Sequence, residues 1–143
     1  MTRSLCAALM LAALFSAPAR TEDGGTWRIV NYWSEWCAPC RKELPMLNEL
    51  SRQLAPLGIV VVGVNFDDDP YPVSLATAER LRIEFPTLSP GDVATLDLRP
   101  PDALPTTFIL NPANQVVARL VGLQDRETIL KRLADLGLVA PPS

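Results

Sequence analysis

Apolar residues follow two rhythms along this chain. Trp27-Arg28-Ile29-Val30-Asn31-Tyr32-Trp33 is dense in aromatic and β-branched residues, which predicts a buried central strand. After Cys40 the spacing changes. Leu44, Leu47, Leu50 and Leu54 recur at helical intervals, and Pro56 with Gly58 stops the pattern. Pro45 lies inside it and is expected to kink the helix rather than end it. Ile59-Val60-Val61-Val62-Gly63-Val64-Asn65 is a continuous β-branched run, suited to a parallel strand buried on both faces. A second helix is predicted from Leu75 to Phe85. Pro86 and Pro90 then break the pattern, with a short turn or helix over Asp92 to Arg99. Thr106 to Leu110 and Val116 to Leu120 are strands on either side of Asn111-Pro112-Ala113-Asn114, a turn by composition, and together predict an antiparallel hairpin. Asp125 to Leu136 closes the chain as an amphipathic helix. Asp125 caps it, Ile129, Leu130, Leu133 and Leu136 line one face, and Gly137 ends it. The order β-α-β-α, hairpin, α predicts one layered α/β domain with a central mixed β-sheet flanked by helices.

The N-terminus has a different character. Arg3 supplies a positive end, Leu5 to Phe15 is apolar, and Ala17-Pro18-Ala19 is a small-x-small cleavage site. Residues 1–19 therefore read as an export signal, cleaved after Ala19, with an uncleaved N-terminal membrane anchor as the alternative. The apolar run is shorter than the roughly 20 residues that span a bilayer. Residues 20–26 are a flexible lead-in containing Gly24-Gly25, residues 27–137 form the domain, and 138–143 a C-terminal tail. Export places the chain in an oxidising compartment, the periplasm.

Composition narrows the chemistry. The chain has 143 residues, enough for one domain with a core. Its net charge is −3 and no block of Lys or Arg stands out, so nucleic acid is not an expected partner. There is no His, which removes imidazole as a base and as a metal ligand. Cysteines stand at Cys6, inside the leader, and at Cys37 and Cys40. A zinc site needs about four ligands, which two cysteines without His do not supply. A purely structural disulfide closing so short a loop removes little unfolded-state entropy. Asp67-Asp68-Asp69 lacks the spacing of a calcium loop and reads as a solvated turn. Redox exchange is left as the use of Cys37 and Cys40, with no metal and no cofactor expected.

Their placement supports that use. The pair falls between a strand and a helix, so Cys37 is expected at a helix N-terminus, where N–H groups and the helix dipole favour thiolate. Cys37 is the candidate nucleophile on a client disulfide. Cys40, one turn further in, is the candidate resolving thiol. Pro39 suits an early helical position. Glu43, one turn beyond Cys40, is the candidate acid/base, provided burial raises its pKa; the competing reading is an ordinary first-turn acid that complements the dipole. Glu35 reads as a rim residue.

Four stretches resemble the thioredoxin superfamily, and within it the exported TlpA/ResA-like branch. They are Val30 to Cys40; Pro45, five residues past the second cysteine; Leu104-Pro105-Thr106-Thr107-Phe108; and Asn111-Pro112 through Gly122. The run Cys40-Arg41-Lys42-Glu43-Leu44-Pro45 carries the branch. The resemblance implies a thioredoxin-like fold, N-terminally short, in which one sheet edge is bare or differently covered. It implies that Pro105 is cis and faces the cysteines, and that the Leu104 backbone pairs with the client like an added strand. Trp36 joins Leu104 and Pro105 in the expected client contact. Asn31 departs from ordinary thioredoxin, which has a buried Asp there that relays the second cysteine's proton. The expected activity is an exported thiol:disulfide oxidoreductase. Ala38-Pro39 puts no His between the cysteines, which favours the reducing direction. Expected partners are disulfide-bearing cell-envelope proteins and a membrane thiol-electron donor. One alternative is cytochrome c maturation, with apocytochrome c as client. A second is a non-catalytic binding module on the same fold. A third, copper handling, is weakened by the absence of His and by Met46 being the one Met past the leader.

Overall fold

The computed structural model describes residues 25–142. The export signal over 1–19, Cys6 with it, and most of the 20–26 lead-in lie outside the described residues. Within them the chain runs β1 (Trp27–Trp33), α1 (Ala38–Leu54), β2 (Ile59–Asn65), α2 (Tyr71–Arg80), α3 (Pro90–Thr95), β3 (Thr106–Leu110), β4 (Val116–Val121) and α4 (Arg126–Asp135). The strands form a mixed sheet in the order β2-β1-β3-β4. β1 pairs parallel with β2 and antiparallel with β3, and β3 pairs antiparallel with β4 as the predicted hairpin.

Alternation along β1 distributes its side chains to two layers. Ile29 joins Val61, Ile109 and the inner faces of α1 and α4 in the larger apolar cluster. Val30 and Tyr32 point the other way, to Val62, Val64, Phe108 and Leu96 just past α3. Trp33, at the strand's end, is wholly buried against Cys40 and Ala78. The core therefore reaches the turn that carries the cysteines.

α1 runs through Pro45 without ending. A short 3₁₀ turn over Ala55–Leu57 follows, closed by Gly58 in the left-handed region (φ 75°). Two helix boundaries differ from those the sequence predicts. α2 starts at Tyr71, four residues before Leu75, because Pro70 caps it and Pro72 occupies its first turn, where a missing N–H costs nothing. It ends at Arg80 rather than Phe85. Arg82 turns to φ 57°, and Asn48 on α1 clamps the exit, donating to Arg82 O at 2.7 Å and accepting from Glu84 N at 2.9 Å. Ile83 and Phe85 then pack on the core as extended chain. α3 covers Pro90–Thr95 rather than Asp92–Arg99. Ser89 accepts from Asp92 N, Asp92 returns the contact to Ser89 N, and Pro90 takes the first turn instead of breaking it.

β2 is an edge strand, parallel to β1 as its composition predicts but with Val60 exposed. Its outer edge is partly covered by the segment after α2. Gly63 N donates to Pro86 O and Leu88 N donates to Gly63 O, both at 2.8 Å. Gly63 also makes room inside the layer. A Cβ there would stand 2.7 Å from Trp33 Nε1 and 3.0 Å from Phe85 Cε2, and both rings are buried. Gly63→Ala is expected to cost about 1–3 kcal/mol through overpacking, read as a lower urea midpoint with an unchanged m-value.

Candidate active site

The sequence passes from β1 into α1 through Ser34 to Cys37, and this short turn sets the site. Cys37 is the N-cap of α1: its Sγ accepts from Cys40 N at 3.2 Å and its carbonyl from Arg41 N at 3.1 Å. Pro39 occupies the first turn. The helix that starts here is 17 residues long, so its unsatisfied N–H groups and dipole act on the Cys37 sulfur. Cys37 and Cys40 are joined in a disulfide with Cα atoms 5.2 Å apart. Cys37 is half-buried and Cys40 is fully enclosed. An incoming group therefore meets Cys37 before Cys40. Trp36 stands beside them 83% exposed, and Glu35 on the rim pairs with Arg80 at 2.8 Å. The Leu104–Pro105 bond is cis. Pro105 is buried, its carbonyl accepts from Gly122 N at 2.8 Å, and Leu104 packs on the cluster of Trp33 and Cys40. The fold thus brings Leu104 next to the cysteines from a distant part of the chain.

Glu43 is only 2% exposed and stands past the first turn of α1, which holds no acidic residue. Its Oε1 accepts from Asn31 Nδ2 at 2.7 Å and its Oε2 from Gln124 N at 3.0 Å. Asn31 Nδ2 also donates to Thr107 Oγ1 at 3.0 Å. Asn31 Oδ1 has no partner among the described residues, so this amide is turned to serve the carboxylate. Burial pushes the Glu43 carboxyl above its ordinary value, and the hydrogen bonds from Gln124 and Asn31 pull back against it. A cavity of about 370 Å³ lined by Lys42, Glu43, Met46 and Gln124 lies against it.

Thr107 and Gln124 were not singled out from the sequence. The Thr106-Thr107 pair after Pro105 was visible, but its pairing with Asn31 is a matter of strand register. The Gln124 contact is made by backbone, which no side-chain pattern reveals. Among the described residues no group of three or more His, Cys, Asp and Glu is placed to hold a metal ion, Asp67 to Asp69 included.

A mixed sheet with the dithiol at the start of α1 and a cis-proline segment beside it is the thioredoxin-like fold. A candidate thioredoxin from Neisseria meningitidis superposes with a TM-score of 0.66 at 16% identity, covering 82% of this chain and 79% of that one. The chain belongs to the AhpC/TSA family, whose model matches residues 18–119. Its similarity extends to the thiol-disulfide oxidoreductase ResA of Geobacillus thermodenitrificans, 28% identical over 116 residues, or 81% of this chain and 66% of that protein. It extends also to the thiol:disulfide interchange protein HelX of Rhodobacter capsulatus, 32% identical over 114 residues, 78% of this chain and 61% of HelX. The chain thus spans a little under two thirds of the length of these curated relatives.

The raised Glu43 pKa has a stability consequence. A carboxyl whose folded value lies above its unfolded value of 4.5 contributes fully to stability below that value, and the contribution is lost as pH rises through the folded value. Urea midpoints of the wild type are expected to fall from pH 4.5 toward neutrality by this amount. In Glu43→Gln that part of the slope is absent, and the variant gains on the wild type as pH rises. Parallel pH profiles for the two proteins would contradict the assignment.

Proposed function

We propose that this chain is an exported thiol:disulfide oxidoreductase that reduces protein disulfides with the Cys37/Cys40 dithiol. One observation carries the reading: a half-buried Cys37 caps the N-terminus of α1 while its partner Cys40 is fully enclosed. The names of the ResA and HelX relatives support it. In the reduced protein the Cys37 thiolate attacks one sulfur of the client disulfide. A Cys37–client bond forms, the client's S–S bond breaks, and the other client sulfur leaves as thiolate. Cys40 loses its proton and attacks Cys37 Sγ. The mixed disulfide breaks, the second client thiol leaves, and the Cys37–Cys40 disulfide forms. The client gains two electrons and the protein loses them. A thiol donor at the membrane returns them by the same exchange in reverse.

Glu43 takes the Cys40 proton in this scheme. Its burial one turn beyond Cys40 and the cavity beside it support the role. Asn31 holds it in place. Trp36, Leu104 and Pro105 form the client contact, with the Leu104 backbone offered to an extended segment. Ala38-Pro39 between the cysteines carries no charge to stabilise the reduced form, which supports the reducing direction. The leader over 1–19 supports export to the periplasm. No helix among the described residues is long and apolar enough to cross a membrane. The run Cys40 to Pro45, which resembles that of cytochrome-maturation thioredoxins, favours apocytochrome c as a client within this activity.

Cys37→Ser is expected to lower insulin-disulfide reduction by about a hundredfold or more. Cys40→Ala is expected to accumulate mixed disulfides on Cys37, and mass spectrometry of the trapped species names the clients. A trap that stays empty, with no turnover by the wild type, would favour the non-catalytic binding module. A reduction potential near the −120 mV of DsbA would reverse the direction. For Glu43, the rate at which Cys40 resolves a preformed mixed disulfide on Cys37 is expected to lose a pH-dependent step in Glu43→Gln. An unchanged profile removes Glu43 from proton transfer.

A further inference from the structure

β1 and β2 run parallel and end level, with Trp33 opposite Asn65. The chain leaving one strand therefore meets the chain leaving the other at once. Phe66 N donates to Trp33 O at 2.8 Å. Asn65 Oδ1 accepts from Asp67 N at 3.0 Å, which turns the loop back beside Ser34. Ser34 Oγ then donates to the Asp67 carboxylate, 2.9 Å from Oδ1 and 2.8 Å from Oδ2. Ser34 is 5% exposed and Asp67 is half-buried. A hydrogen bond to a charged group is of the stronger kind, and partial shielding from water strengthens it further.

The same hydroxyl serves the turn that carries the dithiol. Ser34 Oγ accepts from Trp36 N at 3.2 Å, and Ser34 O accepts from Cys37 N at 3.2 Å. The two amides just ahead of α1 are thus turned back on Ser34, while Cys37 Sγ accepts from Cys40 N. A serine hydroxyl has one proton, and here it goes to Asp67. The bonds therefore run in one direction, from Trp36 N to Ser34 Oγ to Asp67. The carboxylate lies two hydrogen bonds from the backbone of Trp36, which adjoins Cys37. Two hydrogen bonds span less than the roughly 8 Å over which charge acts at physiological salt.

Two influences meet on Cys37. The N-terminus of α1 favours its thiolate. A carboxylate held nearby favours the neutral thiol. The other charges around the turn are placed differently. Glu35 pairs with Arg80, Arg41 and Lys42 are exposed on α1, and Glu43 is enclosed one turn beyond Cys40. On the β2–α2 loop Asp68 is exposed and Asp69 accepts from Asn65 Nδ2 at 3.1 Å. Among the described residues Asp67 is the one charged side chain hydrogen-bonded to Ser34. A thiol less ready to ionise leaves the reduced dithiol less stabilised, so it gives up electrons more readily. We propose that Asp67 is a positioning residue for the reducing direction: Ser34 holds it against the active-site turn, and its charge opposes the Cys37 thiolate. The inference rests on the oxidoreductase reading above.

The test equilibrates the full chain with glutathione and, in the reduced protein, follows the Cys37 thiolate by its ultraviolet absorbance against pH. Asp67→Asn keeps an oxygen for Ser34 and removes the charge. It is expected to raise the Cys37 thiolate fraction at neutral pH about threefold at low salt. The glutathione equilibrium is expected to move toward the reduced protein with it, and both effects to shrink as salt rises. Ser34→Ala releases the carboxylate, and in that background Asp67→Asn is expected to change neither quantity. A role confined to stability would move the urea midpoint of Asp67→Asn and leave thiolate and equilibrium where they were. Asp68→Asn controls for general acidity and is expected to shift neither. No shift in Asp67→Asn, an equal shift in Asp68→Asn, or a shift that survives in the Ser34→Ala background overturns the proposal. Neither readout needs a client. Failure to reduce any client disulfide, with these shifts present, overturns the oxidoreductase reading and leaves the effect of Asp67 on Cys37 standing.

Discussion

Glu43 is a carboxylate with almost no exposed surface, and separate parts of the fold supply the polar groups that hold it there. Asn31 comes from β1, and the backbone N–H of Gln124 from the loop between β4 and α4. Thr107 on β3 anchors Asn31 in turn. A buried charge is tolerated only when hydrogen bonds replace the water it has lost. The need to satisfy one side chain therefore ties α1 to the sheet and the sheet to the loop before α4. The same register puts Trp33 behind Cys40 and Ser34 above Asp67. If α1 rotated about its axis, Glu43 would lose its partners and Cys40 its packing on Trp33.

The site is thus divided between local and distant chain. Cys37, Pro39 and Cys40 are arranged by a strand that stops and a helix that starts, within a few residues. Leu104 and Pro105 reach them only because β3 lies antiparallel to β1, with Thr106 opposite Tyr32 and Thr107 opposite Asn31. The first part is built from neighbours in sequence. The second depends on the pairing of β3 with β1, which sets the bend at Leu104 and Pro105 beside the dithiol.

Much of this was legible beforehand. β-branched runs gave the bounds of β1 and β2 because few other structures accept so many branched residues in succession. The cysteine pair was legible because its chemistry follows from two residues and the absence of His. The start of α2 was hidden by Pro70 and Pro72, which read as breakers and act as starters. Its end was hidden because Ile83 and Phe85 continue a helical spacing while packing as extended chain. Whether Glu43 is enclosed or solvated turns on the rotation of α1 against β1, a distance relation with no one-dimensional signal. Asp67 to Asp69 form a loop, as read, and their neighbours are hidden for the same reason. Their company, Tyr32 and Ser34, lies more than thirty positions away in sequence.

Gly63 shows how function can be exposed to loss at a place that has no side chain to make a contact. It gives both backbone groups to the segment that covers the β2 edge, and it leaves the space that Trp33 fills beneath the cysteines. Trp33 in turn supports Cys40. A ranking of residues by what their side chains touch would score this position at zero. Its tolerance to inherited change is nonetheless narrow, since any side chain at all presses on the wall behind the dithiol.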